Sequence, residues 1–214
     1  MFWHGRPGMA EHYFTEEPTS TIREMAFEAA VHGHKLQFVS VSGVFSFEPR
    51  IDKASLLLIG TFAPGRPDGS LLDVGCGFGP IGLCIKSAFP GLSVTMADIN
   101  RRAVAYAMNN AERNHLRAET LQSDLYAGLA RRMFTDIVSN PPIAAGKAVN
   151  QRLIREAADH LEPDGSLWLA AFHNKGGETL KKAMAEVFGN VTDVVKSGGI
   201  RVYRSTLEQE FVQE

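Results

Sequence analysis

One stretch constrains this chain more than any other: Leu71-Leu72-Asp73-Val74-Gly75-Cys76-Gly77-Phe78-Gly79-Pro80. An apolar run of strand character leads straight into three alternating glycines, and Pro80 suits the first turn of a helix. A strand that must become a helix within a few residues needs backbone unencumbered by side chains, which Gly75, Gly77 and Gly79 supply. The same glycines also let a ligand approach the main chain closely. Taken alone, the turn is equally compatible with a tight strand-to-helix connection that binds nothing.

The rest of the chain repeats the rhythm that this turn begins. Strand candidates at Ser70 to Val74, Ser93 to Ala97, Glu119 to Ser123, Asp136 to Ser139 and Ser166 to Phe172 alternate with helical stretches. Those helices are predicted at Pro80 to Ala88, Arg101 to Asn114, Lys147 to Leu161 and Glu178 to Phe188. Short apolar strands separated by helices imply a parallel sheet covered on both faces. The end is different: Val191 to Lys196 and Ile200 to Leu207 are joined only by Ser197-Gly198-Gly199, too short for a crossover, so this pair is antiparallel. The expectation is an α/β fold with a seven-stranded, mostly parallel sheet and an antiparallel edge hairpin.

Ahead of it, Met25, Phe27, Ala29 and Val31 alternate, His32-Gly33-His34 interrupts, and Leu36 and Phe38 resume, which predicts a β-hairpin. The first twenty residues read as an irregular arm. Asp52 is placed to cap a helix over Lys53 to Ile59 that Gly60 and Pro64 would end. Residues 1–51 are therefore an arm-and-hairpin extension, and residues 52–214 the α/β domain. At 214 residues, one domain with a modest appendage is the default.

Composition narrows the function. No run approaches the roughly 20 apolar residues that cross a bilayer, and no basic segment leads into an apolar one at the start, so a cytoplasmic location is expected without a membrane partner. Cys76 and Cys84 have no Cys or His group at metal-ligand spacing, so no metal is expected, and both read as small buried side chains. With a net charge of −2, any contact with a polyanion must rely on a local basic face.

Chemistry gathers at the carboxyl ends of the strands. Asp98 closes the second strand nineteen residues after Gly79, where a carboxylate can take both hydroxyls of a ribose; its alternative role is to cap the helix that follows. The third glycine comes one residue early for a dinucleotide fingerprint, and the edge hairpin is foreign to dehydrogenase sheets, so a pyrophosphate is disfavoured. Asp124 ends the third strand, within reach of an adenine amine. The fourth ends in Asn140-Pro141-Pro142-Ile143. Two prolines make a stiff turn whose carbonyls are free to accept, beside the amide of Asn140; a plain strand terminator would look the same.

In this order and spacing, Asp73 to Gly79, Asp98, Asp124 and Asn140-Pro141-Pro142-Ile143 resemble the class I S-adenosylmethionine methyltransferases, with their Rossmann-like fold. More narrowly, His12-Tyr13-Phe14-Thr15, Ser42-Gly43-Val44-Phe45-Ser46, Asp52 and the prolyl motif resemble the methyltransferase-small family, which includes small-subunit ribosomal RNA guanine-N2 methyltransferases. The resemblance implies S-adenosylmethionine as cofactor, bound by Asp73, Gly75, Cys76, Gly77 and Gly79, by Asp98 and Ile99, and by Asp124 and Leu125. Phe45 of a flap formed by Ser42 to Ser46, and Asn140, complete that set. It further implies Asn140 and the Pro141 carbonyl as catalytic acceptors for a target amine, with Pro142, Ile143 and Lys147 on the substrate side. Ribosomal RNA or the small ribosomal subunit is the implied partner, and nothing fixes the oligomeric state.

Ile143 departs from the aromatic that follows the prolines in many amino methyltransferases, so a stacking platform would have to come from Phe45, Phe172 or His173. Arg131, Arg132, Lys147, Arg152 and Arg155 are predicted near the substrate mouth, with Arg101, Arg102, Arg113 and Arg117 as a possible extension. His115 and His160 read as surface residues. Three alternatives stay open: an N-methyltransferase of a release-factor glutamine amide, a nicotinamide-dependent oxidoreductase, and a non-catalytic RNA-binding module.

Overall fold

The computed structural model describes residues 16–208. It opens with an antiparallel hairpin, β1 (Glu24–Val31) and β2 (His34–Val41), closed by His32 and Gly33 at φ of 50° and 79°. Two consecutive positive φ values give the turn whose twist matches the strands it joins. The outer edge of β2 is covered by α3 (Arg101–Arg113) and the residue that caps it. Asn110 accepts from Val39 N at 2.9 Å and donates to Val39 O at 3.1 Å; Asn114 engages Gln37 in the same manner. Two amides one helical turn apart thus stand in for a missing strand.

Asp52 caps α1 (Lys53–Thr61) through the N–H groups of Ala54 and Ser55. The helix continues past Gly60, contrary to the sequence expectation, and stops at Thr61. A glycine on an exposed helix face weakens a helix without ending it, whereas Pro64 beyond it cannot be accommodated.

Seven strands form the main sheet in the order β5 (Glu119–Gln122), β4 (Ser93–Asp98), β3 (Ser70–Val74), β6 (Phe134–Ser139), β7 (Leu161–Phe172), β9 (Ile200–Thr206) and β8 (Thr192–Ser197). The strands from β5 to β7 are parallel, and β9 runs antiparallel to both neighbours, as expected from the short link before it. One face carries α1, α2 (Pro80–Ala88), α3 and the hairpin, with Phe38, Phe78, Leu58, Ile85 and Trp168 in a common core. The other carries α4 (Lys147–Ala158) and α5 (Gly177–Phe188), over Ile137, Leu167, Leu169 and Tyr203.

The least accurate boundary expectation is at β7, which begins at Leu161 rather than Ser166, so α4 ends at Ala158. Leu161 pairs with Phe134 before a register shift, and the sheet resumes at Asp136 opposite Ser166. Pro163, Gly165 and Asp164, the last at φ 64°, occupy that irregularity. In sequence they read as a break because only the neighbouring strand reveals a bulge. No helix among the described residues is long and apolar enough to cross a membrane.

Candidate active site

The order of winding along the sheet reverses between the parallel strands β3 and β6: from β3 the chain winds outward to β4 and β5, then returns beside β3 to begin β6 and β7. Ligands of open α/β sheets bind outside the strand ends at such a switch. A cavity of about 240 Å³ lies there.

The predicted residues Phe45, Gly75, Asp98, Ile99, Asp124 and Leu125 line it, together with Asn140, Pro141 and Pro142. Several predicted residues do not. Asp73, Cys76, Gly77 and Gly79 belong to the same strand and glycine turn without being among the residues that line the cavity. Gly75 N and Cys76 N donate to Ala97 O at 2.8 and 3.1 Å, tying the glycine turn to β4. Gly79, at φ 88°, packs so closely that a Cβ would meet Leu83, Met96 and Ala107 at 3.2 to 3.3 Å. Ile143 and Lys147 also lie elsewhere, in a second cavity against α5. Val44, from the predicted flap, also lines the first cavity, and the lining residues given no site role from sequence are Val74, Ser123, Ala145, Val149 and Leu153. Val149 and Leu153, one helical turn apart on α4, were hidden because an apolar pair at that spacing reads as core.

Asp98 accepts from Gly77 N and Asn100 N, one at each carboxylate oxygen and both at 2.8 Å. Asn100, not Asp98, caps α3, accepting from Arg102 N and Ala103 N. Burial pushes the Asp98 carboxyl up to about 6 against the pull of those two N–H groups. Asp73 is wholly buried, and desolvation raises it to about 7, opposed by Gly82 N and reinforced by Asp98. Its Oδ1 has no hydrogen-bond partner among the described residues. Two buried carboxyl groups, neither with a cation against it among the described residues, favour a ligand that brings positive charge. Burial also pushes the Cys76 thiol well above its ordinary range, and Cys84 to about 12, so neither is a ready thiolate.

Asn140 is held from behind. Its Nδ2 donates to Asp52 Oδ1 at 3.0 Å and to Ser55 Oγ at 3.1 Å. Next to it, the Pro142 carbonyl already accepts from Ala145 N and from Asn150 Nδ2. Neither Asn140 Oδ1 nor the Pro141 carbonyl has a hydrogen-bond donor among the described residues. Two acceptors are therefore left at the cavity wall.

A flap covers the other side. Val44 and Phe45 line the cavity, and the flap is tied down by Asn100 Nδ2, which donates to Gly43 O at 2.7 Å. Arg102 adds donations to the carbonyls of Ser42, Pro18 and Ser20. The basic face expected from sequence is thereby thinned. Arg102 is committed to the flap, Arg152 pairs with Asp124 at 2.8 Å, and Arg132 pairs with Glu119 at the opposite end of the sheet. His160 is buried, not a surface residue: it stacks on Tyr126, and its ring lies 2.8 Å from Arg132 O. His12 to Thr15 fall outside the described residues.

Comparison with known proteins agrees with this geometry. Residues 35–204 match the family described as methyltransferase small domain. A Bacillus subtilis protein named only as uncharacterized protein YbxB is 35% identical over 92% of this chain and 98% of its own length. Ribosomal RNA small subunit methyltransferase C of Pseudomonas aeruginosa is 38% identical over 64% of this chain, which spans 42% of that relative. Among solved structures, a T. thermophilus 16S rRNA N2 methyltransferase in complex with AdoMet and guanosine superposes with a TM-score of 0.74 and 27% identity. That superposition covers 90% of this chain and 52% of the other. With the sheet, the strand-end cavity and the family match in agreement, the nicotinamide-dependent alternative falls away: the chain belongs to the methyltransferase small domain family and is an S-adenosylmethionine-dependent methyltransferase.

Proposed function

We propose that this enzyme methylates the exocyclic N2 amine of a guanine in small-subunit ribosomal RNA, working in the cytoplasm on the RNA or the subunit that contains it. The observation that carries the reading is the restrained Asn140 amide, whose Nδ2 faces Asp52 and Ser55. Similarity to the Pseudomonas small-subunit ribosomal RNA methyltransferase and to the T. thermophilus N2 methyltransferase, the latter holding guanosine, supports the choice of acceptor. Residues 52–214 form the catalytic unit, and residues 1–51 an extension that lends Val44 and Phe45 to the cavity wall.

The residues present fit the cofactor. Asp98 has a lone pair free on each oxygen for the two hydroxyls of a ribose, while Ile99, Leu125, Val149 and Leu153 offer apolar walls to a flat purine. The Asp98 carboxylate at the cavity wall suits a cationic donor. When bound, S-adenosylmethionine supplies an electrophilic methyl group on a sulfonium.

A guanine amine is a poor nucleophile because its lone pair is delocalised into the ring. Asn140 Oδ1 and the Pro141 carbonyl accept its two N–H bonds, turning the lone pair toward the methyl group and stabilising the positive charge that grows on nitrogen. The prolines keep these acceptors in place before substrate arrives. No side-chain base is required, since the nitrogen releases its proton to water once it has gained the methyl group.

The test is transfer of radiolabelled methyl groups to small ribosomal subunits, and to naked RNA, lacking endogenous modification. Nucleoside analysis should give N2-methylguanosine. Label in a release-factor glutamine and none in RNA would overturn the assignment.

A further inference from the structure

The prolyl loop and α4 wall two cavities, not one. Along α4, Val149 and Leu153 face the first, while Lys147, Asn150, Gln151 and Ile154 face a second of about 190 Å³ bounded by α5. Its walls are apolar at Ile143, Leu180 and Ala183. Ile143 is seated there by Gly176, where even a Cβ would come within 2.7 Å of it.

Asn150 makes this more than a packing gap. Its side chain lies in the wall and is 6% exposed. Nδ2 donates to Gly146 O at 2.9 Å and to Pro142 O at 3.3 Å, while Oδ1 is buried with no partner among the described residues. A buried acceptor without a donor is unfavourable, and a small turn of the amide toward the cavity would let a group bringing an N–H relieve it. Lys147 stands exposed at the same rim. Apolar walls, one unsatisfied acceptor and a rim cation match a nucleobase with an N–H edge and its phosphate.

We propose that this cavity receives the nucleobase adjacent to the target guanine, an inference that rests on the RNA reading above. Extruding a base for chemistry unstacks its neighbour, and proteins that read single-stranded RNA recover that loss by housing splayed bases separately. The two cavities share the segment from Pro141 to Lys147, so successive nucleotides can straddle it. Ile143 then serves as a wall for the neighbour, which accounts for an aliphatic residue where a platform for the target base was expected.

The experiment uses RNA fragments containing the target guanosine, intact or with an abasic residue on either side, turned over by the wild type and by Thr179→Trp. Thr179 is an exposed rim residue, so the indole fills the groove from outside. Losing one base contact should raise KM about ten-fold or more at one of the two abasic positions. Thr179→Trp should raise KM on intact RNA to a similar degree, show no further rise on that abasic fragment, and bind S-adenosylhomocysteine as the wild type does. Lys147→Ala, as a second variant, should weaken RNA binding and lower its salt dependence by about one charge. Indifference of wild-type KM to both abasic sites, or independent multiplication of the two effects, would overturn this inference alone. Absence of any transfer to intact RNA would overturn the guanine reading and this inference together.

Discussion

Asp52 Oδ1 lies 3.0 Å from Asn140 Nδ2 while accepting the backbone N–H groups of Ala54 and Ser55. One carboxylate oxygen thus both starts a helix and orients an amide 88 residues further along the chain. A carboxylate can only accept, so the amide must present its NH2 group to Asp52 and its oxygen to the opposite side. The helix cap and the acceptor of the target amine are one structural unit.

Replacing Asn140 by Ala should leave S-adenosylhomocysteine affinity unchanged and lower methyl transfer roughly 10²- to 10³-fold, the scale seen when one charge-stabilising contact is removed. Asp52→Ala should cost about 1 kcal/mol of stability from the lost cap and also lower transfer. Thermal melting, calorimetric titration and single-turnover transfer separate the three effects. Unaltered transfer in Asn140→Ala would remove that residue from the mechanism.

Asp98 links cofactor binding to pH. Its carboxyl titrates at about 6, and protonation removes an acceptor that the ribose would use. Affinity for S-adenosylhomocysteine should be level above that pH and fall as pH drops below it, by up to about ten-fold per pH unit for a single linked proton. Asp98→Asn should bind more weakly and lose the slope. A slope that persists in the variant assigns it to another group.

Asp73 should govern the stability of the free enzyme. Its carboxyl is raised from 3.8 to about 7, so between these values the unfolded chain is ionised while the folded one holds its proton. The stabilisation is complete below about pH 4 and is lost as pH rises through 7, amounting to an order of 4 kcal/mol. Urea midpoints of the wild type and Asp73→Asn at pH 5 and 8 check this: the variant should show the smaller difference. Equal differences would refute the linkage.

Two glycines should respond in opposite directions to alanine. At Gly79 the backbone has φ 88° and the new Cβ meets three neighbours, so Gly79→Ala should lose about 1–3 kcal/mol, or several degrees of Tm. Gly60 lies in α1 with open space around its Cβ position, so Gly60→Ala should gain roughly 0.5–1 kcal/mol.

The strand ends were legible because each is marked by a residue type that the fold requires there. Glycines at 75, 77 and 79, acids at 98 and 124, and prolines at 141 and 142 all occur where a strand stops. The packing role of Gly79 was not legible, since a glycine that admits a ligand and one that admits Met96 look identical in sequence. Nor was the fate of the arginines. Arg102 and Arg152 have the spacing of surface residues, and their carbonyl and carboxylate partners come from remote segments.

The sequence by itself determined the α/β rhythm, the antiparallel final hairpin and the strand-end residues around the first cavity, because hydrophobic period, turn chemistry and loop length act over a few neighbouring residues. Tertiary structure alone decided that Asp52 restrains Asn140, that Asn110 and Asn114 cover the edge of β2, and that Ile143 and Lys147 face a second cavity. Each of these depends on which distant segment packs alongside, and pairings across 70 to 90 residues are set by the closing of the whole sheet.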